Sequence, residues 1–336
     1  MNNNRKNILI ITACFVIAVT NLSAMTLIRF ATLAPEGTTW MDAMRSLDAE
    51  LRERSGGEVG FKFYPNMAMG DEQDVIRKMR LGQLHGAGFT GFGLGEILPE
   101  IRILELPYLF QNEGEIDCVK TALDAEIRIS FAEKGFIFLG WADVGWIYFY
   151  AKQPVVTPRD LSGVKAWAWA GDPLAAAFFA ELGRSPVTLS ITDVIMALQT
   201  KMVDAVYASP LACLALQWFT KLDYVSDVPF TNSVGAVLLD KKIFDELSPT
   251  NQSLLLEIAQ KQTRRLVERT REDNRLAYAQ LLKEGLKPAP SSPEQRCEMQ
   301  AIGYKIHSQL AGKLYPQTLL DKVNNVLEQY RTRPHR

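Results

Sequence analysis

The chain of 336 residues is poor in the side chains that most metal and redox sites require. Its three histidines, at positions 85, 307 and 335, are too far apart to form a histidine-rich metal site. Its four cysteines show neither a C-x-x-C pair nor a zinc spacing. The formal net charge of −1 gives no electrostatic reason to expect a nucleic-acid partner. We therefore predict no metal, no cofactor and no nucleic acid.

Motifs of the common catalytic sites are also missing. The sequence contains no G-x-S-x-G, no H-E-x-x-H and no P-loop. The run Gly91–Gly95 (G-F-G-L-G) lacks the spacing of a dinucleotide site, so we expect a tight loop that brings backbone close to a cleft. Glu96, Glu100 and Glu105 follow on loop or turn segments, and nothing selects a catalytic pair among them. The sequence thus favours a protein that is not an enzyme.

Residues 1–24 have the pattern of an export signal. Arg5 and Lys6 precede an uncharged, mostly apolar stretch from Ile8 to Thr20, and Ser23-Ala24 offers a small-residue exit. The stretch is short for a transmembrane span of about 20 apolar residues. We predict a signal peptide and a periplasmic protein. Lipidation at Cys14 and a retained N-terminal anchor stay open as alternatives.

Strand and helix patterns alternate from residue 26 onward, as in an α/β protein. At roughly 150 residues per domain, the length fits two domains. We predict one lobe from residues 25–145 and 232–265, and a second from residues 146–231 and 266–336. A helical pattern over about residues 249–285 is long enough to span both lobes.

Tryptophan is the abundant residue type. Four of the six, Trp141, Trp146, Trp167 and Trp169, fall within 29 residues. In the run Ala166–Ala170 (A-W-A-W-A) indoles alternate with alanines, so a strand would place both indoles on one face and the alanines on the other. A buried indole N–H needs a hydrogen-bond partner, so filling a lobe core is one interpretation and lining a cavity is the favoured one.

Several motifs resemble the solute-binding proteins of TRAP transporters, the DctP-type family. They are Asp160–Lys165 (D-L-S-G-V-K) and Leu189–Ala205, which contains A-L-Q and V-D-A. Further pieces are Tyr64-Pro65-Asn66 with Gly70-Asp71-Glu72, Leu106–Phe110 (L-P-Y-L-F) and Ser209-Pro210-Leu211. These pieces occur in the family's order over about residues 26–330.

The resemblance implies a periplasmic-binding-protein architecture of two α/β lobes spanned by a long helix. It also implies that the lobes close over a small-molecule ligand in the cleft. The receptor then delivers this ligand to a membrane permease that is driven by an ion gradient.

One departure from the family pattern concerns charge. Where family members place an arginine that clamps the ligand carboxylate, this chain has Trp167, and an indole offers one donor and no charge. At two further positions where family members have polar residues that hold the ligand, this chain has Gly145-Trp146-Ile147 and Val206–Ser209. Burying a carboxylate without a cation would cost several kcal/mol. Four arginines are candidates for a substitute cation, and the sequence places none of them in the cleft: Arg29, Arg77, Arg102 and Arg184.

We therefore predict an aromatic cleft whose ligand is hydrophobic or aromatic and has one polar end. The predicted ligand-binding residues are Trp167, Trp169, Trp146, Trp141, Tyr207, Ser209, Phe89, Thr90, Phe230 and Thr231. An arginine in the cleft together with Trp167 packed in a lobe interior would overturn this interpretation. In lacking this arginine, the chain also resembles a subgroup of the family that works with a tetratricopeptide-repeat partner. An organic-acid receptor with a substitute cation, and an enzyme or scaffold on the same fold, remain alternatives.

Overall fold

The computed structural model describes residues 25–332, which form twelve strands and eleven helices. The predicted signal segment, with Cys14, lies outside the described residues. The strands are β1 Thr26–Thr32, β2 Val59–Tyr64, β3 Gly86–Thr90, β4 Phe136–Trp141, β5 Gly145–Ala151, β6 Trp167–Trp169, β7 Val187–Leu189, β8 Ala205–Ala208, β9 Tyr224–Ser226, β10 Thr231–Ser233, β11 Gly235–Asp240 and β12 Lys287–Ala289. The helices are α1 Thr39–Arg54, α2 Glu72–Arg80, α3 Gly91–Ile97, α4 Glu113–Glu133, α5 Pro173–Glu181, α6 Val194–Gln199, α7 Pro210–Ala215, α8 Lys241–Asp245, α9 Pro249–Lys283, α10 Pro293–Leu310 and α11 Gln317–Thr332.

The first lobe is built on a sheet with strand order β2-β1-β3-β11-β4. Strand β1 pairs in parallel with β2 and β3, whereas β11 is antiparallel to both β3 and β4. The sheet is therefore mixed, because its fourth strand comes from a later part of the chain. Ile28 and Phe30 of β1 are fully buried and form a core with α1 and α9.

The second lobe is built around β5. This strand pairs antiparallel with β8, β9 and β10, and β12 extends the sheet beside β9. Residues between β4 and β5, and Val234 between β10 and β11, connect the two sheets. The predicted α/β architecture of two lobes is confirmed.

Helix α9 spans both lobes, as predicted. Its N-terminal part packs Leu255 and Ile258 into the core of the first sheet. Its C-terminal part packs Tyr278 and Leu281 beside the aromatic residues of the second lobe. The exact division of the chain into lobes stays a prediction; α10 packs against α5, and α11 packs against α4.

Strand β6 shows the expected alternation. Trp167 and Trp169 pack into a cluster with α6, while Ala166 and Ala168 pack against Ala175 and other residues on and around α5. The small alanine face allows α5 to approach the strand closely. Helix α5 itself begins at an Asp172 cap followed by proline, as its sequence indicates.

The expected glycine loop at residues 91–95 is wrong, because these residues form α3 with Thr90 as its N-cap. The three glycines make room for buried charged side chains. A Cβ at Gly91 would collide with the Glu105 carboxylate, and one at Gly95 would lie 2.7 Å from Arg102 Cδ. The local pattern lacks apolar periodicity because the glycines are set by these distant side chains.

No helix among residues 25–332 is long and apolar enough to cross a membrane.

The α3 contact predicts a destabilising substitution. In Gly93→Ala the new Cβ would lie 2.6 Å from Phe89 Cδ1 and 2.7 Å from Glu72 Oε2, both buried. We expect the free energy of unfolding, measured by urea denaturation, to fall by about 1–3 kcal/mol. Glu96→Ala, at an exposed position of the same helix, should change it by about 0.5 kcal/mol or less. Equal effects of the two substitutions would contradict this account of α3.

Candidate functional site

A cavity of about 140 Å³ lies where the two lobes meet. A second cavity of about 160 Å³ adjoins it, since both are bordered by Thr90, Val144 and Ser209. The walls of the first cavity are mainly aromatic and aliphatic; its aromatic residues are Phe92, Phe149, Trp167, Trp169, Phe178, Phe179, Tyr207, Trp218 and Phe230. We refer to it as the aromatic cavity.

Trp167 forms part of the wall with its polar atom already occupied. Its Nε1 donates a hydrogen bond to the Leu189 carbonyl oxygen at 3.0 Å. Its ring stacks on Tyr207, with centroids 4.9 Å apart, and meets Trp218 edge to face at 5.4 Å. The side chain is therefore 1% exposed although it borders the cavity. It contributes apolar surface and no free donor.

Trp169 joins the two lobes. Its ring stacks on Phe92 of α3 at a centroid distance of 4.6 Å, and its Nε1 donates to the Asp71 carboxylate at 3.0 Å. The same carboxylate accepts hydrogen bonds from Ser190 Oγ and from the Ile191 N–H. Asp71 caps α2 of the first lobe, whereas its three partners belong to the second. We call this set of contacts the Asp71 latch.

The hydroxyl groups at the aromatic cavity divide into two kinds. Thr90 donates to Glu72 at 2.8 Å, and Thr231 donates to the Glu105 carbonyl oxygen at 2.6 Å. Tyr207 and Ser209 instead accept from backbone N–H groups, and no acceptor for their own protons appears among residues 25–332. Burial raises the pKa of Tyr207, so its hydroxyl remains a donor at neutral pH. These two protons are donors available to a ligand, and so is the buried Nδ2 group of Asn232, which borders the same cavity and has no hydrogen-bond partner among the described residues.

A buried arginine also borders the aromatic cavity. Arg102 follows α3 in a 3-10 turn, Pro99–Glu105, and is 4% exposed. Its Nη2 donates to Asp172 at 3.0 Å, and its Nε lies 2.9 Å from Glu105 Oε2 as an ion pair without hydrogen-bond alignment. Burial opposes the charged form, but the charges of Asp172 and Glu105 outweigh it and raise the pKa of Arg102. Of the four arginines considered from sequence, Arg102 is the one at the cavity.

Both carboxylates beside Arg102 have donors of their own. Glu105 Oε1 accepts from Ser233 Oγ at 2.6 Å and from the Val234 N–H at 2.9 Å. Asp172 Oδ1 accepts from the Leu174 N–H at 2.9 Å and caps α5. Burial raises the pKa of Glu105, and the charge of Arg102 opposes that shift. With both carboxylates ionised, this group of three, the Arg102 cluster, carries one net negative charge.

The structure brings seven of the ten predicted residues to the aromatic cavity, and three lie elsewhere. The seven are Trp167, Trp169, Tyr207, Ser209, Thr90, Phe230 and Thr231. Phe89 borders the adjoining cavity. Trp146 and Trp141 do not line either cavity among the described residues.

The placements of Trp146 and Trp141 have simple causes. Along β5 the side chains alternate, so that Ile147 and Phe149 face the aromatic cavity and Trp146 faces away. Trp141 ends β4 at the edge of the first sheet, where Lys120 lies over its ring and its Nε1 donates to Asp124. These orientations depend on which face of each strand meets the cavity and on the order of strands in the sheet, and the positions of the tryptophans along the sequence give neither.

An arginine in the cleft together with Trp167 packed in a lobe interior would overturn the prediction of an aromatic cleft. The structure meets this condition only in part. An arginine does border the cavity, and Trp167 is buried. However, Trp167 borders the cavity as well as the buried cluster with α6, and the guanidinium is already paired with two carboxylates. The local sequence feature that accompanies Arg102 is the carboxylate three residues later, Glu105, and the sequence alone did not identify the two as a pair. Among residues 25–332, no group of three His, Cys, Asp or Glu side chains is arranged as metal ligands.

Comparison with known proteins identifies a family match over most of the chain. The sequence model of the DctP family, described as bacterial extracellular solute-binding protein, family 7, matches residues 30–313. The 2,3-diketo-L-gulonate-binding periplasmic protein YiaO of Escherichia coli is 26% identical over 220 residues, covering 65% of this chain and 67% of that protein.

Two solved structures show the same fold at low identity. A TRAP periplasmic solute-binding protein from Ralstonia eutropha, with bound (S)-2-acetolactate, has a TM-score of 0.84 at 17% identity. One from Xanthobacter autotrophicus, with bound β-D-galacturonate, has a TM-score of 0.83 at 20% identity. Each likeness covers 90% of this chain and 99% of the other.

The Asp71 latch predicts that one carboxylate helps to hold the lobes together. Asp71→Ser keeps an N-cap for α2 but removes the charge and shortens the side chain. Because hydrogen bonds to a charged group contribute about 1.5–3 kcal/mol each, we expect the ratio of closed to open molecules to fall at least about tenfold. Small-angle X-ray scattering of the protein without added ligand should show a larger radius of gyration. Asp74→Ser, at a half-buried position of the same helix whose carboxylate pairs with Arg77 within the first lobe, serves as control; superimposable profiles for the Asp71 variant and wild type would contradict the prediction.

Glu72, next to Asp71, predicts a pH-dependent stability. Burial raises the pKa of Glu72 from 4.5 to about 8, although the Thr90 and Gly93 donors oppose that shift. The folded protein therefore holds this proton more tightly than the unfolded chain, and stability is lost as the pH rises from 4.5 to 8. Relative to Glu72→Gln, the wild-type free energy of unfolding should fall by about 1 kcal/mol per pH unit in that window. Urea denaturation at several pH values measures this; parallel curves for the two proteins would rule it out.

Proposed function

Because the chain belongs to family 7 of the bacterial extracellular solute-binding proteins, the DctP family, we propose that it is the receptor of a TRAP-type secondary transporter. Its ligand is a small apolar or aromatic molecule with one polar end, held in the aromatic cavity between the lobes. The receptor delivers this ligand to the membrane permease from the periplasm. A tetratricopeptide-repeat partner stays a prediction.

The assignment of an apolar ligand rests on one observation, which is that Arg102 is already paired with two carboxylates of the protein. Among residues 25–332, the guanidinium at the aromatic cavity is that of Arg102, and it contacts Asp172 and Glu105 at 3.0 and 2.9 Å. A ligand carboxylate would therefore enter a buried site that already holds two carboxylates against one cation. Its desolvation would cost several kcal/mol without a free cation to offset it.

The shape and remaining donors of the cavity support the same assignment. A volume of about 140 Å³ resembles the roughly 150 Å³ of an apolar cavity that admits benzene. The hydroxyl protons of Tyr207 and Ser209 are available for one acceptor on the ligand. A neutral carbonyl, ether or hydroxyl group suits these donors, and the aromatic walls suit a flat apolar body.

An organic-acid receptor is the second candidate, and Arg102 is the observation that favours it. A guanidinium at the cavity is the cation that such a ligand requires. The relatives named above bind or hold organic acids. This candidate requires Asp172 or Glu105 to release Arg102, at the cost of leaving a buried carboxylate with fewer donors.

Matched aromatic probes separate the two candidates. Acetophenone and benzoate have nearly the same shape but differ in charge. We expect acetophenone to raise the melting temperature in a saturable way, since a ligand at a hundredfold excess over Kd adds about 2.7 kcal/mol. Benzoate should give little shift at the same concentration. A larger shift with benzoate would overturn the apolar assignment, and no shift with either probe would favour a scaffold.

A variant pair tests whether binding occurs at the aromatic cavity. Trp167→Phe removes the larger ring and the bond to Leu189, so we expect acetophenone to bind about tenfold more weakly in isothermal titration calorimetry. Trp146→Phe changes a tryptophan outside the cavity and should leave the Kd unchanged. Equal effects of the two substitutions would place the ligand elsewhere.

A further inference from the structure

The Arg102 cluster contains an ion pair that crosses from one lobe to the other. Arg102 belongs to the turn after α3 in the first lobe, and Asp172 caps α5 in the second. Both side chains are more than nine-tenths buried, and both border the aromatic cavity. We propose that the Asp172 carboxylate is a built-in occupant of the arginine site, and that it sets the specificity of the cavity by excluding carboxylate ligands. This inference rests on the proposed receptor function.

The two carboxylates of the cluster are not equivalent. Glu105 lies in the same turn as Arg102 and is fixed by Ser233 and Val234. Gly91 leaves the space that its side chain fills. Glu105 is thus part of the frame that holds Arg102 in place.

Asp172 approaches the guanidinium from the opposite lobe. It contacts Nη2 through Oδ2 at 3.0 Å, while its other oxygen accepts the N–H of Leu174. A ligand carboxylate in a cleft also meets the arginine from outside the lobe that carries it. Asp172 therefore holds the position that a small organic acid would take.

The net charge of the cluster supports the same inference. With Asp172 present, the cluster has two carboxylates and one guanidinium, and an added carboxylate changes its net charge from −1 to −2. Without the Asp172 carboxylate, Arg102 pairs with Glu105 alone, and an added carboxylate restores the native charge of −1. Removing this one group therefore converts an excluded ligand into a compensating one.

Asp172→Ala tests the inference, with acetate as the probe because it replaces the deleted carboxylate. We expect calorimetry to show saturable acetate binding to the variant, at least tenfold tighter than any binding to wild type. Acetate should also raise the melting temperature of the variant only. Asp240→Ala is the matched control, since Asp240 caps α8 through the Lys242 N–H on the protein surface. It loses a helix cap in the same way and should gain no acetate binding.

A second variant keeps the test valid if Asp172→Ala does not fold. Asp172→Asn preserves the size of the side chain and its capping oxygen but removes the charge. The preference of the protein for acetophenone over benzoate should narrow at least tenfold. If neither variant gains carboxylate affinity, the role of Asp172 is refuted while acetophenone binding to wild type still supports the receptor. If wild type itself prefers benzoate, the proposed ligand class fails, whatever the variants do.

Discussion

The structure between the lobes depends on the burial of one guanidinium. Arg102 is 4% exposed, and a buried charge without partners is among the most destabilising features that a protein can contain. Two carboxylates, Glu105 and Asp172, therefore lie beside it. These buried side chains need space, and glycines in the sequence provide it. Gly91 leaves room for the carboxylate of Glu105, and Gly95 leaves room for the aliphatic part of Arg102. Two of the three glycines in a pattern that looks like a loop are thus a consequence of one buried charge.

Two contacts across the cleft are built in the same way, from an aspartate that caps a helix. Asp71 caps α2 in the first lobe and accepts the indole N–H of Trp169 from the second. Asp172 caps α5 in the second lobe and accepts from Arg102 in the first. The positive end of each helix stabilises a carboxylate charge, which keeps these aspartates strong acceptors even when buried. Both lobes therefore present a helix-capping aspartate to a donor on the opposite lobe.

Features determined locally were predictable from the sequence. The alternating indoles and alanines of β6, the Asp172-Pro173 start of α5 and the length of α9 each follow from neighbouring residues. The role of Arg102 was not predictable, because its partner Asp172 lies 70 residues away and belongs to the other lobe. Trp141 and Trp146 were misplaced for a related reason. Their strands were recognised, but the direction in which each side chain points depends on sheet order and parity.

Because the protein's own carboxylates neutralise Arg102, the binding energy of a ligand cannot come mainly from an ion pair with this arginine. A clamped organic acid gains affinity from charge-assisted hydrogen bonds, but its own carboxylate must first lose water. Under the proposed function, an aromatic ligand in this cavity would gain affinity mainly from apolar area. Burial of roughly 150–250 Å² at about 25 cal/mol per Å² yields about 4–6 kcal/mol. That energy alone corresponds to roughly millimolar to tens-of-micromolar affinity. Tighter binding then depends on closure of the lobes. Since Asp71 and Asp172 supply contacts that hold the lobes together, less of the ligand's own binding energy is needed for closure.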